Sequence, residues 1–340
     1  MRFDGNMTEI LVLGGTGWLG RQIVEHALAA GHPVTCLARA VTGDVPTGVE
    51  FVQADRENPE AYARLRGRRW DLVVEVSWQP GWVRDALNAL AGRARQWIYV
   101  SSSSVYARAD TPGADETAEL LAPLEAAVAD RSVYGAAKSA CEAASWAALG
   151  DRLLIARPGL IGGPGDPSDR TTYWPARFAL AAHERLLVPA TAGFSQVIDV
   201  RDLASWLLTA GKAGVSGAIN AVGESVPLLD ALAVASDVAG FDGEAVPAEE
   251  GWLQDRNVSY WAGPRSLPLW LPSTEEFTGY SRRSDLAFTQ SGGTRRPLRE
   301  TLFDTLEAER MRGLDRPIKA GLVRSEEVEL IDELIRSTSF

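Results

Sequence analysis

The stretch Ile10-Leu11-Val12-Leu13-Gly14-Gly15-Thr16-Gly17-Trp18-Leu19-Gly20 decides the fold. Four apolar residues read as a buried strand, the glycines mark a sharp turn free of bulky side chains, and the amphipathic run to about residue 30 reads as a helix. A strand feeding a helix through such a turn opens a dinucleotide-binding βαβ unit. The bare turn lets a pyrophosphate approach the backbone, and the helix N-terminus holds its charge with unsatisfied amides and the helix dipole. Gly14, Gly15, Thr16, Gly17, Trp18, Leu19 and Gly20 are therefore the expected cradle.

The alternation continues downstream. Apolar β-like runs at 9–13, 33–38, 50–54, 72–76, 96–101 and 152–156 are separated by helical patterns at 18–30, 59–65, 82–91 and 133–149. This order predicts an α/β protein with a doubly wound parallel sheet of the Rossmann type. Beyond Pro158 glycine and proline cluster in GLIGGPGDPSD, and residues 251–279 are irregular and rich in tryptophan. The expected organisation is a dinucleotide-binding region over 1–160, with 195–222 returning to it. An interleaved, smaller substrate-binding region and tail then occupies 161–194 and 223–340. From Leu298 onward the mixed charge reads as an amphipathic helical tail.

Bulk properties narrow the function. With 340 residues, 46% of them hydrophobic and 23% charged, the chain can bury a sizeable core. A net charge of −11 works against nucleic acid as a partner. Cys36 and Cys141 lack the spacing of a zinc site or redox dithiol and read as reduced core thiols. His26, His32 and His183 are scattered, so no metal is expected. The opening residues have no signal-peptide pattern and no apolar run reaches membrane-spanning length, which points to a cytoplasmic protein with no membrane partner.

Cofactor choice is read at the end of the second strand. An NAD-selective binder shows an acidic residue there for the ribose 2′-hydroxyl, whereas this chain has Leu37-Ala38-Arg39. Arg39 can pair bidentately with a 2′-phosphate, favouring NADP with NAD possible, or it is a solvated loop residue. Asp55, after the third strand, is placed either to meet the adenine or to cap its loop.

Tyr134-Gly135-Ala136-Ala137-Lys138 sets a phenol and an ammonium on one helical face. A phenol is a poor base at neutral pH, and a neighbouring positive charge stabilises its phenolate. Upstream, Trp97-Ile98-Tyr99-Val100 runs as a buried strand into Ser101-Ser102-Ser103-Ser104-Val105-Tyr106, putting hydroxyls where a substrate oxygen would sit.

With the GGTGWLG turn, VSSSSVYA, YGAAK, ARPGLIGGPGD and QVIDVRDLA in this order, the chain resembles the extended short-chain dehydrogenase/reductase family over roughly residues 8–225. That branch also contains sugar-nucleotide epimerases and dehydratases. The resemblance implies Tyr134 as acid/base, Lys138 as its pKa-lowering partner and ribose ligand, and Ser102 as the catalytic hydroxyl with Ser103 the neighbouring alternative. It also implies Ser77 and Pro158 against the cofactor, and a small-molecule carbonyl or alcohol as substrate. Tyr173, Trp174 and Arg177, with Asp166, Asp169, Arg170 and Thr172, would border the substrate cleft; the aromatic residues read more readily as core.

Two departures bear on the substrate. The position of Gln196 in many sugar-nucleotide enzymes serves the nucleotide's phosphates, and no basic cluster replaces it in the sequence. Val76-Ser77-Trp78-Gln79-Pro80 also makes the cofactor-side wall bulkier than the family's usual small-residue run. Trp252, Trp261 and Trp270 read as an apolar lid or a core plug. The alanine-rich helix after Tyr134 reads as a close-packing face, and the resemblance implies a homodimer through it. The leading expectation is an NADP-dependent oxidoreductase. The alternatives are an NAD-retaining epimerase or dehydratase, and a non-catalytic member that senses cofactor or binds RNA.

Overall fold

Ile10–Leu13 forms β1, buried at all four residues, as a wholly apolar run demands of a central parallel strand. The first lobe continues through α1 (Trp18–Ala29), β2 (Val34–Ala38), β3 (Glu50–Gln53), β4 (Trp70–Glu75), α2 (Pro80–Leu90), β5 (Ala94–Val100), α3 (Tyr134–Leu149) and β6 (Leu153–Ala156). The computed structural model describes residues 7–41 and 43–338. Residues 1–6, over which no leader is expected, lie outside the described residues.

After β6 come β7 (Leu160–Gly162), α4 (Tyr173–Ala181), β8 (Arg185–Pro189), β9 (Phe194–Asp199), α5 (Val200–Ala213) and β10 (Gly217–Ile219). Seven strands then lie in the order β10-β6-β5-β4-β1-β2-β3. Every neighbouring pair in this sheet is parallel. The winding reverses between β1 and β4, and ligands of such sheets bind at the carboxyl ends of the strands at this switch point. One face is closed by α1 and α5 around Ile10, Ile23, Leu72, Ile98, Leu203 and Trp206. The other is closed by α2 and α3 around Leu11, Val73, Val83, Trp97, Tyr99 and Cys141.

The second lobe adds β11 (Ser225–Pro227), α6 (Leu228–Ala239), β12 (Glu244–Ala248), α7 (Glu250–Asp255), β13 (Ser259–Trp261), β14 (Ser266–Pro268), α8 (Leu286–Gln290), α9 (Leu298–Arg312) and α10 (Arg324–Thr338). Its core gathers Trp174, Phe178, Leu187, Leu232, Leu253 and Trp270. No helix among the described residues is long and apolar enough to cross a membrane.

Two local expectations are corrected. Residues 59–65 are not a helix: Ala61, Ala63 and Leu65 each donate to the carbonyl three residues back, giving a chain of tight turns. In the returning segment, α5 and β10 join the large sheet's layers, but β9 pairs with β7 and β11 in a separate three-stranded sheet.

Candidate active site

The glycine turn sits at the switch point. Gly14 adopts φ +102°, a backbone conformation that a side chain would strain. Gly20 lies so close to the turn that a Cβ there would stand 2.2 Å from the Gly14 carbonyl oxygen, and Gly15 packs on Cys36. Gly17 faces open space, its nearest neighbour to a Cβ being the Gly14 oxygen at 3.8 Å. Gly14, Gly17, Trp18, Leu19 and Gly20 line a cleft of about 540 Å³. Thr16 faces an adjoining hollow of about 280 Å³ bounded by Leu37, Ala38, Arg39, Ala54, Arg56, Ser77 and Trp82. The two cavities share Gly14, Gly17, Val76 and Trp78. This cradle, bare at Gly14 and Gly17 and open to the N-terminus of α1, fits a dinucleotide laid across the turn.

Arg39 stands over the Trp82 ring at 5.4 Å and 3.9 Å from Asp55, with its side chain about half exposed. Asp55 also accepts from the Glu57 amide, the local turn its position allowed, and it does not line the hollow. The sequence reading missed Arg56, which forms a bidentate pair with the fully buried Glu75 at 2.8 and 2.5 Å and braces the wall below Trp82.

At the carboxyl end of β5, Ser102 caps the 3₁₀ turn Ser103–Val105, its Oγ accepting from the Ser104 amide at 3.1 Å. The Ser103 amide donates to the Pro158 carbonyl, bringing β6's exit to the same rim. Helix α3 begins against this turn, and Gly135 permits the contact: a Cβ would lie 2.3 Å from the Ser104 oxygen and 2.7 Å from Leu121. Tyr134 is thereby held beside Ser102, its ring 5.5 Å from that of Trp78. Burial raises the phenol's pKa, while the Ser102 hydroxyl and the Arg131 and Arg170 cations pull it down.

Lys138 is buried below. Its Nζ donates to the carbonyls of Val100 at 2.6 Å and Ser77 at 3.1 Å, and burial brings its pKa down to about 8. The ammonium therefore bridges the ends of β4 and β5, and the cations acting most on Tyr134 are two arginines that the pairing with Lys138 gave no reason to expect.

The remaining residues divide. Ser102, Ser103, Tyr134, Lys138, Pro158, Gln196, Asp166 and Arg170 all line the cleft. Gln196 is spent locally: Nε2 donates to the Gly223 and Arg283 carbonyls, and Oε1 accepts from the Arg283 amide. Tyr173, Trp174 and Arg177 are not brought there. They lie in α4, nearly fully buried against the second lobe's core, where the Trp174 indole donates to the Pro268 carbonyl and Arg177 to that of Leu322. The apolar face of α4 packs inward on α6 and α9, and these side chains follow it. Asp169 and Thr172 are also buried and do not line the cleft. Of the three tryptophans, Trp270 is core, Trp252 packs partly against that core, and Trp261 reaches the cleft.

The structure also overturns the reading that no basic cluster is present, because Arg131, Arg170 and Arg283 line one cleft. Their sequence positions are too dispersed to signal it.

The model of the NAD dependent epimerase/dehydratase family matches residues 10–223, more than half the chain. The chain belongs to this family. It is 31% identical over 216 residues to 2′-dehydrokanamycin reductase of Streptomyces kanamyceticus, covering 61% of this chain and 56% of that protein. It is 28% identical over 184 residues to 2-alkyl-3-oxoalkanoate reductase of Shewanella oneidensis, covering 47% and 46%. The matches thus span about half the length of these two curated relatives. The NAD complex of UDP-glucose 4-epimerase from Thermus thermophilus superposes with a TM-score of 0.63 at 22% identity, covering 89% of this chain and 99% of that one, a likeness of fold. The family described by this model is NAD dependent, in keeping with the glycine turn that lines the cleft.

Proposed function

We propose that the chain is an NADP-dependent oxidoreductase interconverting a carbonyl and an alcohol, with Tyr134 as acid/base. The observation that carries this reading is the meeting of Ser102 and Tyr134, above the buried Lys138, in the cleft that contains the glycine turn. When bound, the nicotinamide supplies or accepts the hydride. Tyr134, kept protonated at neutral pH by its burial, gives its proton to the carbonyl oxygen in reduction. Ser102 donates to the same oxygen and holds it near the phenol. Lys138, mostly charged at neutral pH, fixes the strand ends that frame the site and is assigned to the nicotinamide ribose. Trp78, its ring 5.5 Å from that of Tyr134, forms the wall of the cleft beside the phenol.

The NADP preference rests on Arg39, whose half-exposed guanidinium borders the adenosine-side hollow. Arg39→Asp is expected to weaken NADPH binding about tenfold or more, the size of one charge-assisted hydrogen bond, and to change NADH binding little. Fluorescence titration of both dinucleotides measures this, and equal losses would remove Arg39 from the site.

The family's epimerases favour a second reading, in which NAD stays bound and the hydride returns to the same substrate. The absorbance spectrum of the purified protein separates the two. The lead expects little retained cofactor and net NADPH consumption with an added carbonyl compound. Stoichiometric bound NAD with no net consumption would establish the second reading in its place. The proposed homodimer uses α3, where Trp146 is half exposed beside the small Ala143 and Ala147.

A further inference from the structure

Burying a carboxylate is costly unless it is paired and hydrogen-bonded, yet the central strand β4 ends in one. Glu75 closes the run Trp70-Asp71-Leu72-Val73-Val74-Glu75 and is fully buried. Its two oxygens take the paired nitrogens of Arg56, and Oε1 also accepts from the Ser77 amide at 2.8 Å. That fixes the peptide just beyond the strand. The Ser77 carbonyl oxygen in turn accepts from the Tyr99 hydroxyl and from the Lys138 ammonium, each at 3.1 Å. On the far side Arg56 donates to the Trp82 carbonyl at 2.8 Å, and both residues border the adenosine-side hollow. One chain of hydrogen bonds therefore joins that hollow to the buried lysine of the cleft.

Lys138 is only 2% exposed, and among the described residues it makes no ion pair. Its Nζ rests on carbonyl oxygens and lies 4.9 Å from the centre of the Tyr99 ring. The titratable groups around it come from β4, β5 and its own helix α3. Burial pushes the Tyr99 and Tyr134 phenols and the Cys141 thiol up, so none of these carries charge near neutrality. Arg84 of α2 acts on Cys141. Two carboxylates remain, Glu75 and Glu142, and both act on the ammonium. Glu142 is paired with Arg157 at 2.7 Å, and no hydrogen bond links it to the carbonyls that hold Lys138. Glu75 is the one tied to them, through the Ser77 peptide.

We propose that Glu75 is a positioning residue for Lys138: it clamps the Ser77 peptide so that its carbonyl meets the ammonium, and its negative charge keeps that ammonium charged where no counter-ion touches it. The role in turnover rests on the reading of the cleft as an oxidoreductase site. Arg56 holds the carboxylate in place from the other side. Burial alone drives the ammonium toward its neutral form, and the carboxylate opposes this. A lysine that lost its proton would keep its place in the fold but no longer offer a charge to the nicotinamide ribose or to the phenol above it.

The chain has three lysines, Lys138, Lys212 and Lys319, so isotope-labelled lysine gives few enough side-chain signals to follow Lys138 by NMR across pH, with Lys138→Arg identifying its signal. In the natural chain the ammonium should titrate near pH 8. Glu75→Gln keeps an acceptor for the Ser77 amide and removes the charge, and it is expected to move the titration down by about one pH unit. Because that variant leaves Arg56 buried without its partner, Glu75→Gln/Arg56→Met is measured beside it; this removes both charges and should fold with the same shift. Glu75→Asp keeps the charge and should restore most of the natural value. Glu142→Gln breaks the other buried pair near the lysine and should move it less. An unshifted titration in both Glu75→Gln variants, or an equal shift in Glu142→Gln, would overturn the proposal. The readout needs no turnover, so the expected shift in a chain that reduces no carbonyl compound with NADPH would refute the oxidoreductase reading and leave the clamp standing. In a chain that does reduce one, the alkaline limb of kcat/KM should move with Lys138, and a limb that stays while the ammonium shifts would remove Glu75 from the reaction.

Discussion

Tyr134→Phe is expected to lower kcat by about 10²- to 10⁴-fold, the contribution of one positioned proton donor, while leaving the fold intact. The substitution removes one hydroxyl and keeps the ring. Packing on Trp78 at 5.5 Å and the start of α3 against the Ser103–Val105 turn should therefore both survive. Stability should change by no more than about 1 kcal/mol, the net value of a single hydrogen bond. Steady-state reduction assays with NADPH give the first quantity and urea unfolding the second. A variant with near-normal kcat would remove Tyr134 from the acid/base role. A large loss of stability would mean the phenol holds structure and leave its chemistry unsupported.

The second large effect is expected at Gly20. A Cβ there would stand 2.2 Å from the Gly14 carbonyl oxygen and 2.9 Å from the Gly15 Cα, both backbone atoms that cannot swing aside as a side chain can. In Gly20→Ala the turn must open to relieve the overlap. Overpacking of this kind costs about 1–3 kcal/mol, and spent on the cradle it weakens dinucleotide binding by roughly 10- to 100-fold. Gly67→Ala is the control, since a Cβ at Gly67 meets nothing within 4 Å and should leave affinity unchanged. Equal affinities for the two variants in a fluorescence titration would show that the close approach at Gly20 does not shape the cofactor site.

The parts of this molecule that could be read from its sequence are those where local chemistry and fold agree. The Ile10–Leu13 run, the glycines after it and the amphipathic α1 each point to the same βαβ unit, and the strand order follows from repeating it. Residues 59–65 misled because Ala61, Tyr62 and Leu65 recur at helical spacing. Their burial is real, yet the backbone meets it through consecutive tight turns, with Tyr62 accepting from Arg56. Tyr173, Trp174 and Arg177 misled for another reason. An aromatic beside an arginine looks alike whether it faces a ligand or a core, and only the packing of α4 on α6 and α9 decides. The arginine cluster was invisible because its members come from three distant segments, Arg131 just ahead of α3 and Arg170 and Arg283 far beyond β6. Spacing rules register neighbours along a chain, and these become neighbours only in space.

The interleaving of the two lobes also constrains how the molecule comes into being. The edge strand β10 and the covering helix α5 belong to the first lobe's sheet layers, yet they follow α4, β8 and β9 in the chain. Phe288 arrives later still, and its ring lies 5.0 Å from that of Trp206 within the same core. A growing polypeptide that has left the ribosome only as far as β6 has its glycine turn and α1, but not α5, which shares with α1 the covering of that face. The first lobe therefore does not complete its layers before later segments arrive, as N-terminal domains commonly do during synthesis. That face stays only partly covered until α5 is made, and Phe288 adds its ring later still.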